Sequence, residues 1–298
     1  MATQTTWGPL KALFERFDEH NFGRTEIQRL VEHADALVQI GNGTLTREII
    51  SQIIKQVVNP FAKEKVEVRY FYPDGWKPTS VEEQLSVLQG FYPGLVGSHV
   101  VEIAGGIIGP LDADGLFVVP KPGSVAAKLG IEDPFGEGYG QLLETTVLVH
   151  LAGQRKFHNY RAGKLTPDRV RVRRSTADAL RKLEEKTPGD FLVFLAQTGK
   201  KWGGYSPRNS RWEMERGTAE FALPAWVVGH IVLTNPARLD KNEHLFVDCP
   251  GDEYRFEDAA EFPYCLHFRF RDGRLEFLGS GWLDAANDGC GSASGFSG

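Results

Sequence analysis

Seven side chains packed between Arg155 and Lys164 carry the first chemistry this sequence offers: Arg155, Lys156, His158, Asn159, Tyr160, Arg161 and Lys164. Guanidinium forks and a histidine suit a phosphate or carboxylate, because their N–H donors meet its oxygens in pairs. Phe157 and Tyr160 add faces that could stack on a base or on the guanidinium groups. The competing reading is a solvated helix end, where the helix dipole favours cations. A second basic run spans residues 200–212 and contains Lys200, Lys201, Trp202, Tyr205, Arg208 and Arg211. It follows an apolar strand, a common place for a ligand loop. Gly203-Gly204 lets backbone approach a ligand closely, and cations interleaved with Trp and Tyr suit single-stranded nucleic acid or a nucleotide. A basic hairpin tip without a ligand is the alternative there. The candidate ligand-binding residues are therefore Arg155, His158, Arg161, Lys200, Lys201, Trp202, Tyr205, Arg208 and Arg211, and no catalytic residue is singled out.

Both runs lie within residues 154–216, which hold 16 of the 34 Lys and Arg but only 7 of the 39 Asp and Glu. The chain as a whole is acidic, at −5 with a pI of about 5.9. An anionic partner must then be met locally rather than by a basic chain throughout. If both runs touch phosphate they should converge in space, with a strand at Phe191–Ala196 running beside one at Val170–Arg173.

A third constellation is acidic: Asp248, Cys249, Asp252 and Glu253, with His244 and His267 near in sequence. Cys, His and Asp can form a nucleophilic triad, and the three carboxylates could hold a divalent metal. Plain turn chemistry around Pro250-Gly251 explains the same residues, so neither a metal site nor a cofactor is expected. The run Gly136-Glu137-Gly138-Tyr139-Gly140 lacks the Lys-Ser/Thr of a P-loop and the preceding apolar strand of a dinucleotide fold, and reads as a flexible lead-in to a helix. His230 sits in an apolar run and reads as a core histidine.

The elements that must position these residues follow from periodicity. Apolar stripes between Leu10 and Val58 repeat at helical spacing and end at Asn59-Pro60. Alternation at Val66, Val68, Tyr70 and Tyr72 predicts a strand. Ser80 opens a helix over Val81–Phe91, and Ser98 caps a short helix over His99–Ala104. Gly115–Pro120 reads as a strand, Gln141–Leu151 as a helix, Val170–Arg173 as an edge strand, and Ser175 to about Lys186 as a helix. Phe191–Ala196 reads as a strand buried on both faces. A loop over Gly199–Pro207, a strand at Arg211–Met214 and a strand stub at Leu245–Val247 follow. Asp272-Gly273 gives the strongest hairpin signal. Asn287–Gly298, rich in Gly and Ser, reads as a loose tail.

These elements predict an α+β fold: an N-terminal helical region at 1–62, a core domain at 63–286 with a mixed, partly antiparallel sheet and flanking helices, and a tail at 287–298. Hydrophobic content of 41% and charged content of 24% are ordinary for a globular protein. Cys249, Cys265 and Cys290 are too few and too scattered for a disulfide framework. With no basic and apolar leader and no long apolar run, the expectation is a cytoplasmic protein without a membrane span. Phe157-His158-Asn159-Tyr160-Arg161, the run 197–211 and Gly291-Ser292-Ala293-Ser294-Gly295-Phe296 resemble segments of a family of bacterial proteins that carries no assigned role; the resemblance spans roughly residues 75–296 and implies no fold, activity or ligand. The expected partner is nucleic acid or a nucleotide held by a non-catalytic binding protein. Two alternatives stand beside it: a hydrolase or transferase on such a ligand, using Asp248, Cys249 or His158, and a docking module whose basic face meets an acidic protein.

Overall fold

A computed structural model describes residues 59–110, 112–216, 220–257 and 259–297. The helical reading of the N-terminal region falls almost wholly outside these residues. The unit Glu64–Gly298 holds every described helix and strand. Its helices are α1 (Val81–Phe91), α2 (Val100–Gly106), α3 (Pro122–Leu129), α4 (Tyr139–Thr145), α5 (Val147–Gln154), α6 (Arg174–Lys186), α7 (Pro207–Arg216) and α8 (Ala225–Thr234). Its strands are β1 (Gly115–Pro120), β2 (Phe157–Asn159), β3 (Val170–Val172), β4 (Phe191–Gly203), β5 (Glu220–Ala222), β6 (Phe246–Tyr254), β7 (Tyr264–Arg271), β8 (Arg274–Trp282) and β9 (Cys290–Phe296). Among the described residues one mixed sheet runs β1-β4-β9-β6-β7-β8-β2, with β3 added to β6 and β5 to β9. Helices flank this sheet, so the fold class is α+β. No described helix is long and apolar enough to cross a membrane.

One sheet face is apolar. Val247, Phe268 and Phe277 lie side by side on β6, β7 and β8. The fully buried α8 packs over them, its Gly229 admitting the Phe268 ring and the Val147 side chain of α5. The opposite face is polar: Asp248 faces His267 on β7 and Ser292 on β9, and Ser294 faces Gln197 on β4. Helix α7 lies over this layer, with Ser210 Oγ 2.7 Å from Ser292 Oγ.

Several elements form for the reasons the sequence gives. Ser80 and Glu83 close a reciprocal capping box on α1, each side chain accepting from the other's backbone N–H. Asp272 and Gly273, both at positive φ, make the turn of the β7–β8 hairpin. Gln84 of α1 is fully buried, donating to Leu116 O and accepting from Val118 N on the outer edge of β1. A side-chain amide thus stands where a further strand would otherwise pair.

Other expectations are corrected. The Gly/Ser segment is not a loose tail: Cys290–Phe296 is β9, in the centre of the sheet between β4 and β6. Small residues are required because the neighbours are close. A Cβ on Gly291 would stand 2.2 Å from the Gly199 carbonyl oxygen, and one on Gly295 would stand 2.6 Å from the Phe221 ring. Arg211–Met214 is not a strand but part of α7, whose buried Pro207, Ser210, Arg211 and Met214 recur at helical spacing. The 248–251 turn is instead continuous strand β6, and Pro250 is tolerated where the ladder with β7 slips register. Strand β4 runs on through Gly199 to Gly203, and β3 pairs with β6 rather than with β4. Lys65–Tyr72 makes only two isolated bridges, Lys65 to Tyr205 and Phe71 to His244. The 141–151 helix is two, broken at Thr146, and neither Ser98 nor Ser175 caps a helix: His99 and Arg173 hold those positions without side-chain caps.

Candidate functional site

The nine predicted residues do not assemble into one site. His158 lies on β2 and Lys200 to Trp202 on β4, with four strands between them, a span of about 24 Å at ordinary strand spacing. Arg155 donates to Pro236 O (3.1 Å) and Leu239 O (2.7 Å), closing the turn after α8. Arg161 stacks near Phe256 and donates to the Tyr254 hydroxyl. His158 is exposed, edge-on to Tyr160.

On the other side of the sheet, Lys201 Nζ meets Asp112 and Glu220, each at 2.7 Å. Burial alone would lower its pKa, but these two hydrogen bonds outweigh it and hold the ammonium above its usual range. Trp202 is buried and donates Nε1–H to Glu220 at 2.8 Å. Tyr205 accepts from Lys65. Arg208 forks onto Glu64, whose carboxyl is held low by that contact and by Ser206 against the opposing effect of burial. Arg211 is 4% exposed and donates to the carbonyls of Pro250 and Asp252. Burial, with the Arg173 charge behind it, pushes Arg211 down to about 10. Lys200 is exposed and lies over the Tyr72 ring at 5.6 Å. Lys201 and Trp202 share Glu220; the rest have separate partners. Most of the cations picked from sequence fasten the basic stretch to acidic groups and carbonyls elsewhere in the same unit.

The basic stretch does build one cleft, from residues the candidate set missed. Val170 and Val172 of β3 point inward, so Arg171 and Arg173 point away from the core. The chain then turns into α6, which adds Arg174 and, two turns on, Arg181. These four arginines line a cavity of about 740 Å³ with Phe135 and Ser175. Their partners are carboxylates: Glu253 meets Arg171 Nε at 2.7 Å and Arg173 Nη1 at 3.4 Å. Glu215 meets Arg173 Nη2 at 2.5 Å and Ser175 Oγ at 2.8 Å. Asp178 lies 3.9 Å from Arg174 and 3.4 Å from Arg181. Arg181 also covers the Phe135 ring at 4.8 Å. Arg173 gives α6 no side-chain cap, and its own Nε is shut away from solvent with no hydrogen-bond partner. The alternation from Arg169 to Arg174 was the available signal, but it also fits an ordinary edge strand.

The acidic constellation is split by the pleat. Asp248 faces His267 on the polar side, beside the Cys265 thiol, and Asp248 Oδ1 and His267 Nδ1 have no hydrogen-bond partner. Burial pushes Asp248 up to about 7 and His267 down to about 3. Asp252 accepts from the Tyr139 hydroxyl (2.7 Å) and from Ala225 N (2.7 Å) at the start of α8. Cys249 packs in the apolar core, and burial raises its thiol pKa well above the ordinary range, which opposes thiolate formation. Among the described residues no group of three or more His, Cys, Asp or Glu is placed to hold a metal. His230 is a core histidine: its Nδ1 lies 2.6 Å from Trp226 O, so that nitrogen carries the proton and Nε2 accepts from the Tyr92 hydroxyl.

No family model, curated protein or solved structure matches this chain.

Proposed function

We propose that the Glu64–Gly298 unit is a binding protein for a compact phosphate-bearing ligand, such as a nucleotide, seated in the arginine cleft. The observation that carries this reading is the convergence of Arg171, Arg173, Arg174 and Arg181 on the uncapped start of a 13-residue helix. Helix N–H groups and guanidinium forks are matched to phosphate oxygens. The carboxylate now on Arg174 and Arg181 is replaceable: Asp178 is half exposed, and exposed ion pairs contribute only about 0–1 kcal/mol. A dianionic phosphate that also accepts from backbone N–H groups offers more than Asp178 does. A compact ligand is favoured over an extended nucleic acid because Arg155, Lys201, Arg208 and Arg211 have partners inside the unit, leaving no continuous basic track among the described residues.

Calorimetric titration with inorganic phosphate and with a nucleoside triphosphate tests this. Binding should weaken as salt rises, and the Arg174→Ala, Arg181→Ala pair should lose about tenfold or more in affinity. Lys200→Ala should bind as the native chain does. Unchanged affinity in the double variant would eliminate the cleft as the seat.

A further inference from the structure

A second cleft, of about 970 Å³, shares no lining residue with the arginine cleft. Its walls are apolar: Ile107 and Ile108 after α2, Leu183 of α6, Leu195 of β4 and Phe296 of β9. Ile108 is 94% exposed at the rim of this cleft. Gly109 is what lets this wall lie on the sheet, since a Cβ there would stand 1.7 Å from Leu195 Cδ1. The cleft lining as a whole holds two lysines, Lys186 and Lys201, and two carboxylates, Asp112 and Glu220, but the charges immediately around Lys201 are uneven. Lys201 joins Asp112 and Glu220, two carboxylates to one ammonium. Glu220 also accepts from Trp202 Nε1 and Ser294 Oγ, both on Oε1, so it holds three donors in all. Asp112 is 43% exposed and spends only Oδ2 on Lys201. Lys186 reaches the cleft from the end of α6, but an exposed lysine holds an anion weakly.

We propose that this cleft binds a long-chain primary amine, its apolar chain lying between Ile107–Ile108 and the Leu195–Phe296 floor and its ammonium donating to Asp112. The cation balances the node at two positive and two negative charges. A carboxylate head would meet Asp112 and Glu220 with like charge. The volume lies within the range of small-molecule sites, about 300–1,000 Å³, and apolar walls with few polar groups are their usual composition.

Titration of the full chain with decylamine, decanol and decanoate, each below its micelle concentration, decides the matter. Decylamine should bind about three- to fivefold tighter than decanol, the most that an ion pair to a half-exposed carboxylate supplies, and decanoate should bind more weakly than decanol. Asp112→Asn should bring decylamine down to the decanol affinity while leaving decanol unchanged. Ile108→Gln, at an exposed position that folding does not depend on, should weaken both by about fivefold. No binding of decylamine, a preference for decanoate, or an Asp112→Asn variant that keeps the amine preference would each overturn the assignment.

Discussion

Asp248 and His267 face one another in the ladder between β6 and β7, each with one polar atom that nothing satisfies. Their titration opposes across the acid range. Burial pushes Asp248 and Asp252 up to about 7 from 3.8, with Arg211 pulling both the other way. Between those values the folded chain holds protons that the unfolded chain has released, so these carboxyls remove stability as pH rises. Burial pushes His230 and His267 down to about 3 from 6.5, His267 helped by Arg269 and Arg161. There the unfolded chain holds protons that the folded chain lacks, so these rings add stability as pH rises. The two pairs offset each other between about pH 4.5 and 6.5. Asp248→Asn removes one carboxyl and leaves both histidines. Its urea midpoint should therefore fall on acidification from about pH 6.5 to 4.5 more steeply than that of the native chain. Parallel profiles for the two proteins would refute the assignment.

At the scale of elements, β9 holds the sheet together with side chains that barely exist. Gly291→Ala puts a methyl against the Gly199 carbonyl, where only 2.2 Å is open. Backbone on both sides leaves no flexible side chain to move, so β4 and β9 must part. The expected loss is about 1–3 kcal/mol, read as a lower melting temperature; an unchanged melting temperature would mean the strands are not in this register. The same closeness explains what the sequence hid. Helix α1 and the β7–β8 hairpin were legible because Ser80, Asp272 and Gly273 act on their own neighbours in the chain. Strand β9 was not, because its glycines answer to Gly199 and Phe221, far away in sequence. Helix α7 was missed for a related reason: its inward stripe includes Ser210 and Arg211, which are polar and so break the apolar pattern while keeping the spacing. The arginine cleft was half visible, since the excess charge of the stretch was plain but its internal partners, Glu64, Glu220 and Glu253, lie outside it.

For the whole molecule, the charge asymmetry is largely an intramolecular matter. Residues 154–216 are tied to the rest of the unit by Arg208–Glu64, Lys201–Asp112 and Arg171–Glu253. We expect limited proteolysis to cut near Asn59 to Lys65, where the chain divides between Lys63 and Glu64 and Asn59-Pro60 breaks the helical pattern; full resistance there would argue for one continuous core. The place of β9 also has a consequence for how the protein is made. On the ribosome, β4 emerges long before the strand that must sit beside it, since Gly203 and Cys290 are 87 positions apart. At a synthesis rate of about 5–20 residues per second, β4 waits roughly 4–17 s with one long edge open. Strand β6 waits as well, because its neighbour on that side is the same late arrival. Between Tyr254 and Cys290, 36 positions or roughly 2–7 s of synthesis, the nascent chain displays two unpaired strand edges, which is the interval in which a holding chaperone would find it.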